Sequence, residues 1–289
     1  MFHVFTDSGS NLTPNQTAGL HISIVPLRCL IDGREEPFPL LPDGSFDGKT
    51  YYDRMRSGAD VKTAMVSVGV FKDAFRAAYE NEEDVLYVSL SAGISGTYQA
   101  SIIAADELRE EFPDRKFHAL NTRGAGFGEG LIALRAAELQ RSGATFEEAV
   151  AAAEDDAAHM AQYFTVDDLR YLQKGGRLSA IAAKIGGLLN IKPLLWGDND
   201  GKIVVAGKLR GMRRTLQELV NRYSELCEDK TLRIAISHAD APESAEQLRA
   251  ALREAGCTGE IVMECYEPIT GAHVGPGAVA LFFRGPVRR

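Results

Sequence analysis

Apolar residues recur along the chain with two alternating spacings. Short apolar runs, the mark of strands buried on both faces, occur at Phe2–Phe5, His21–Leu27, Val85–Leu90 and Phe117–Leu120. Between them the spacing lengthens to that of a helix. Ser67 caps a segment with Val70, Phe71, Ala74, Phe75 and Ala78 on one face, and helices follow over Thr97–Glu111 and up to Gln140. Thr13-Pro14 is a helix start, because proline at the first helical position gives up a hydrogen bond the helix never had. Thr145-Phe-Glu-Glu148 is a capping box, in which hydroxyl and carboxylate satisfy free helix amides reciprocally. Asp32-Gly33 reads as a tight turn, and Pro37–Gly48, with its three prolines and two glycines, as a loop.

Beyond about Ala161 the pattern changes. A strand over Tyr163–Val166 is followed by a hairpin, Leu194–Gly197 and Ile203–Lys208, turned through Asp198-Asn-Asp-Gly201. A helix (Thr215–Cys227), strand (Arg233–Ser237), helix (Glu243–Ala255) and strands Glu260–Cys265 and Ala278–Phe283 complete the chain. The first half therefore predicts an α/β lobe with a parallel sheet. The second predicts an α+β lobe with a mixed, partly antiparallel sheet. At 289 residues a chain tends to divide, and the change of pattern puts the lobes at 1–163 and 164–289.

Composition narrows the class. The chain is 45% hydrophobic and 25% charged, as in an ordinary soluble globular protein. Net charge is −8, from 40 acidic and 32 basic side chains, which argues against a duplex-binding regulator, and no helix-turn-helix signal is present. The amino terminus carries no basic-then-apolar leader, and no uncharged apolar run approaches the roughly 18 residues of a membrane span. Cys29, Cys227, Cys257 and Cys265 are scattered, form no CxxC pair, and read as small core residues in a reducing compartment. A cytoplasmic protein without metal or cofactor is expected.

Candidate chemistry gathers in three strand-to-helix turns of the first lobe. They are Asp7-Ser8-Gly9-Ser10, Ser91-Ala-Gly-Ile-Ser95-Gly96-Thr97 and Asn121-Thr-Arg-Gly124-Ala-Gly126. Parallel strands would bring all three to one sheet edge, where open α/β sheets bind ligands. Glycine admits close backbone approach, hydroxyls donate, and helix amides attract an anion. Gly124-Ala-Gly126-Phe-Gly128-Glu-Gly130 is not GxGxxG, and GxxxxGK[ST] is absent, so no nucleotide fingerprint exists. Ser95 lacks the flanks of a nucleophile elbow, Trp196 reads as core or lobe interface, and His238-Ala-Asp240 as a strand-end turn. His273, inside Gly271-Ala-His-Val-Gly-Pro-Gly277, sits in backbone that needs glycine on both sides, which suggests an imidazole held in place.

These residues carry a resemblance. Asp7-Ser8-x-x-Asn11-Leu12, Ser95-Gly96-Thr97-Tyr98-Gln99, and Asp168-Leu-x-Tyr-Leu-x-Lys-Gly-Gly-Arg-Leu-Ser179 come in the order of the DegV family. Leu189-Asn-Ile-Lys-Pro193, Asp200-Gly201, Lys208-x-Arg210-Gly211 and Gly271-x-His273-x-Gly275-Pro276-Gly277 extend the similarity over nearly the whole chain. The resemblance implies a long-chain fatty acid in a tunnel between two lobes. It assigns Thr63 and Ser95, helped by the Gly96 amide, to the carboxylate, and His273 to the head-group region. It also implies a separate fatty acid kinase that phosphorylates the bound carboxylate with ATP, with Arg177 and Arg210 candidates for meeting acyl phosphate or kinase. One departure stands out: Thr63-Ala64-Met65-Val66-Ser67 replaces the family's Thr-Ser-Gln-Pro-Ser. The hydroxyl stays, but a proline and a polar pair are gone.

Energetics divide the labour. Burying about fourteen methylenes contributes on the order of 11 kcal/mol before immobilisation, at about 0.8 kcal/mol each. Hydrogen bonds to an anion contribute about 1.5–3 kcal/mol each, so the tail supplies affinity and the hydroxyls select a carboxylate. The competing expectation is a stand-alone hydrolase or phosphotransferase using Ser95 or His273. No paired carboxylates, nucleotide loop or serine–histidine–acid signature supports it, so no catalytic residue is assigned.

Overall fold

The computed structural model describes residues 1–42, 45–178 and 190–287. Asp43 and Gly44 of the expected loop, and Ser179 and Leu189 at the ends of two motifs, lie outside the described residues. The chain forms two compact units, Met1–Arg28 with Ala64–Ala158, and Cys29–Thr63 with His159–Arg289.

The first unit is a parallel α/β layer, as the pattern predicts. Strands β1 (Phe2–Asp7), β2 (Ile22–Val25), β6 (Asp84–Ser89) and β7 (Phe117–Asn121) lie in the order β2-β1-β6-β7, all parallel. Helices α3 (Val68–Glu80), α4 (Thr97–Leu108), α5 (Phe127–Arg141) and α6 (Phe146–His159) belong to it, and a short α1 (Pro14–Thr17) starts at the expected proline. Val4, Phe5, Phe71, Phe75 and Val85–Val88 are buried together, which is why the strands read as unbroken apolar runs. Thr145 and Glu148 exchange the two bonds of the capping box at the start of α6.

The second unit holds a six-stranded mixed sheet. It comprises β8 (Met160–Thr165), β9 (Ile191–Gly197), β10 (Ile203–Arg210), β11 (Ile234–His238), β12 (Ile261–Cys265) and β13 (Val279–Arg284), in the order β10-β9-β8-β13-β11-β12. Only β11 and β12 run parallel. Helices α8 (Met212–Leu226) and α9 (Pro242–Glu254) pack Leu216, Leu219, Tyr223, Leu248 and Leu252 against Leu281 and Phe283. Trp196 is half-buried on β9 and stacks on Tyr163, ring centroids 6.3 Å apart. Two further helices, α7 (Arg170–Lys174) and α10 (Pro268–Val274), carry the family-like motifs.

Two expectations need correction. The run His21–Leu27 is not one strand: β2 stops at Val25, and a separate β3 (Arg28–Ile31) pairs with β4 (Arg34–Glu35) and β5 (Val61–Ala64) in a three-stranded sheet. Pro26 stands between them and has no N–H to continue a ladder. The single cut at residue 163 also differs from the observed division, because Cys29–Thr63 belongs with the carboxyl-terminal half. The reason is tertiary. Helix α2 (Gly48–Arg56) buries Tyr51 and Tyr52, whose hydroxyls donate to the carbonyls of Pro268 and Tyr266 at 2.9 Å each. A change of pattern along the sequence cannot register such an excursion.

Candidate functional site

In the first unit the three glycine- and hydroxyl-rich turns meet at the carboxyl edge of the sheet. The Ser91 amide donates to the Gly124 carbonyl at 2.7 Å, and the Gly126 amide to the Gly9 carbonyl at 2.8 Å. Much of their polarity is spent internally. Ser8 Oγ accepts from the Leu27 amide and Ser91 Oγ from the Gly93 amide, both at 3.0 Å. Burial pushes the Asp7 carboxyl up to about 6, although the Tyr87 hydroxyl at 2.7 Å and the Gly9 amide at 2.9 Å favour its ionised form. Ser95 is half-buried and Gly96 exposed. Ser95 Oγ lies 2.8 Å from Thr97 Oγ1 and accepts from the Thr97 amide at 3.2 Å, so this hydroxyl caps the start of α4. A Cβ at Gly96 would stand 2.7 Å from Met65 Sδ, which places the departure from the family pattern directly against this turn.

The second unit holds a cavity of about 230 Å³, and Thr63 and His273 both line it. Its wall is assembled from four segments. The end of α2 gives Met55, with Ala59 just beyond, and β5 gives Val61, Lys62 and Thr63. The α7 segment gives Tyr171, Lys174, Gly175 and Arg177, and α10 gives Ala272 and His273. At about 30 Å³ per water molecule such a space takes a head group and a short stretch of chain, not a whole long acyl tail.

His273 lies in the last turn of a helix, so of the glycines around it only Gly275 and Gly277, on its carboxyl side, have the positive φ that the sequence reading expected on both sides. Pro268 opens α10, and the Glu267 carboxylate accepts from the Thr270 amide at 2.7 Å and from the Ile269 amide. Gly275 stops the helix with φ 73°, and a Cβ there would sit 2.2 Å from the Tyr171 ring. His273 Nε2 lies 2.8 Å from Thr63 Oγ1. On its other side a Cβ at Gly175 would come within 2.3 Å of Nδ1, so the first glycine of the Lys-Gly-Gly-Arg motif is the seat of the imidazole.

Burial, with repulsion from Arg177 second, pushes His273 down to about 4, so the ring is neutral near pH 7. Arg177 is half-buried and donates to the Gly175 carbonyl. Lys62 and Lys174 pair with the two carboxylate oxygens of Asp60, at 3.0 Å from Oδ2 and 2.5 Å from Oδ1 respectively. The cavity thus combines a hydroxyl and a neutral imidazole with three cationic side chains, a set suited to an anion. Tyr171 and Lys174 stand in the Asp168–Ser179 motif without a role assigned to them, and Lys62 had no signal at all, because only folding sets these side chains beside residue 273. Arg210 is exposed at the end of β10 and does not line this cavity. Asp240 of the His238-Ala-Asp240 turn is held by Arg56 at 2.5 Å.

The sequence matches the profile of the DegV family, described as an uncharacterised protein family, over residues 1–285. The chain belongs to the DegV family. It is 33% identical to the DegV domain-containing protein CPE0026 of Clostridium perfringens, over 99% of this chain and 98% of the relative. Among solved structures it resembles a DegV protein of Thermus thermophilus described by its fatty acid binding. That pair shares a TM-score of 0.87, 26% identity and 99% of each chain. It also resembles the fatty acid binding DegV protein SAG1342 of Streptococcus agalactiae, with TM-score 0.85, 29% identity and 99% of each chain. Like these DegV structures, the chain has two domains, an amino-terminal parallel sheet and a mixed carboxyl-terminal one. Among the described residues no helix is long and apolar enough to cross a membrane.

Proposed function

We propose that this DegV chain binds a long-chain fatty acid, performs no chemistry alone, and presents the carboxylate to a separate fatty acid kinase. The observation that carries the reading is the Thr63–His273 pair, 2.8 Å apart in a cavity that Lys62, Lys174 and Arg177 make electropositive. Fatty acid binding by the Thermus thermophilus and Streptococcus agalactiae relatives supports it.

The proton arrangement follows from the carboxylate's needs. An ionised carboxylate only accepts, so Thr63 must give it the hydroxyl proton. That requires His273 to hold its proton on Nε2 and donate to Thr63 Oγ1, leaving Nδ1 bare beside Gly175. Within the first unit, the Ser95 hydroxyl and the Gly96 amide at the start of α4 are the further donors that the family resemblance assigns to the carboxylate. Arg177, beside His273, offsets the charge that phosphorylation adds. The exposed Arg210 contacts the kinase.

A hydrolase or phosphotransferase reading would make His273 a general base. Such a base works best with a pKa near the operating pH. An imidazole pushed to about 4 is poorly matched, and a positioning role fits it better. Displacement of a fluorescent fatty acid tests the site. Thr63→Val and Ser95→Ala should each lose about 1–3 kcal/mol of binding, from a carboxylate left short of a donor. Unchanged affinity in both variants removes the carboxylate from this position.

A further inference from the structure

The amino edge of the first unit's sheet, opposite the Ser95 turn, gathers three metal-ligating side chains from distant parts of the sequence. His3 lies at the start of β1, His21 just precedes β2, and Glu83 just precedes β6. Strand β1 runs between the other two, and the register pairing Val4 with Ile22 sets His3 beside His21. The register pairing Phe2 with Asp84 brings Glu83 to the same end. His21 Nε2 is 2.7 Å from Glu83 Oε1, and His3 Nδ1 is 3.2 Å from Glu83 Oε2. One ligand atom from each residue lies within 4.8 Å of the other two.

We propose that His3, His21 and Glu83 bind one divalent transition-metal ion of the zinc type, with a fourth position open to water. Two imidazoles and a carboxylate form one of the three-ligand sets of open zinc sites. Tetrahedral bonds of about 2.0–2.2 Å put ligand atoms about 3.4 Å apart, so the 2.7 and 3.2 Å contacts need only a small rearrangement to admit an ion. The outer contacts suit the same role. His3 Nε2 lies 2.9 Å from Ser23 Oγ, and a proton held on that side leaves Nδ1 bare toward Glu83, as second partners of ligating histidines do. The approach is from the His21 side, where that side chain is 38% exposed and Glu83 11%. The ligands are too hard for a thiophilic ion such as Cu(I) and too rich in nitrogen for Ca²⁺ or Mg²⁺.

The test uses full-length untagged protein, stripped with chelator and titrated with Zn²⁺ against a chromophoric competitor. The expected result is one equivalent bound, at least tenfold more weakly in His21→Asn and Glu83→Gln, and unchanged in His118→Asn, which alters the separate His118–Glu154 pair. Ser23→Ala should weaken binding by about tenfold through the freed His3 ring. Zinc should raise the melting temperature of the wild type and leave that of Glu83→Gln where it was. Should Glu83→Gln fail to fold, the more exposed His21→Asn decides alone. No zinc uptake by folded wild type, or uptake undiminished in His21→Asn, overturns the site.

Discussion

Replacing Gly175 with alanine places a carbon 2.3 Å from His273 Nδ1, 3.0 Å from its Cε1 and 3.4 Å from the Tyr171 carbonyl oxygen. The ring cannot stay. Its far edge carries the 2.8 Å bond to Thr63, so moving the ring to clear the new methyl breaks that contact. Overpacking costs about 1–3 kcal/mol, and the lost hydrogen bond adds about 0.5–1.5 kcal/mol. A loss of about 2–4 kcal/mol in folding stability follows. Gly176→Ala is the matched control. Its φ of 74° strains an alanine, but nothing lies within 4 Å of the new Cβ. It should cost only about 1 kcal/mol. Urea unfolding and fatty-acid displacement, run on both variants, separate the two cases. Gly175→Ala should bind fatty acid about tenfold or more weakly, since each 1.4 kcal/mol of head-group interaction is about a factor of ten. Gly176→Ala should bind as wild type does. Equal stability and equal affinity in the two variants would refute the seating of His273 on Gly175.

Three further outcomes follow from the same geometry. The folded-state pKa of His273 lies below its unfolded value of 6.5, so its contribution is intact above that value and is lost as pH falls toward 4. Wild type should lose about 2 kcal/mol relative to His273→Gln between pH 7 and pH 5, measured as a difference because Asp7, raised to about 6, acts in the opposite direction. Tyr52→Phe should cost about 1–3 kcal/mol in chemical denaturation, because it strands the buried Tyr266 carbonyl that its hydroxyl serves; a loss within error would remove that hydroxyl as a tie between α2 and the segment leading into α10. With ATP, wild type should form acyl phosphate only when a cognate kinase is added, and Arg210→Ala should slow that step without changing fatty-acid affinity. Kinase-independent turnover would restore the enzyme reading.

The four- and six-stranded sheets were legible in the sequence because buried strands and amphipathic helices leave different spacings, whereas the three-stranded sheet was not. The three glycine- and hydroxyl-rich turns also converge as parallel strands require. What stayed hidden was held by tertiary contact. The excursion Cys29–Thr63 follows a proline that could equally end a loop, and its attachment rests on two tyrosine hydroxyls meeting carbonyls far along the chain. Helix α10 is short and contains Gly271, so its composition resembles a turn, whereas the close approach of Tyr52 Oη explains the glycine. His273 was marked by the glycines around it and Thr63 by resemblance alone. Their direct contact, and the cations around it, could not be inferred from spacing. The cluster of His3, His21 and Glu83 is the same kind of case, visible only once parallel register aligns three strand starts.

Mass spectrometry of an organic extract from the protein, purified from a fatty-acid-containing host and then denatured, tests fatty-acid carriage most directly. The expected result is a saturated or monounsaturated long-chain fatty acid at near one-to-one stoichiometry, much reduced in a Thr63→Val, Ser95→Ala double variant that still folds. Protein that carries no fatty acid and takes none up when it is supplied, or that retains it fully in the double variant, contradicts the carrier function or its site, respectively.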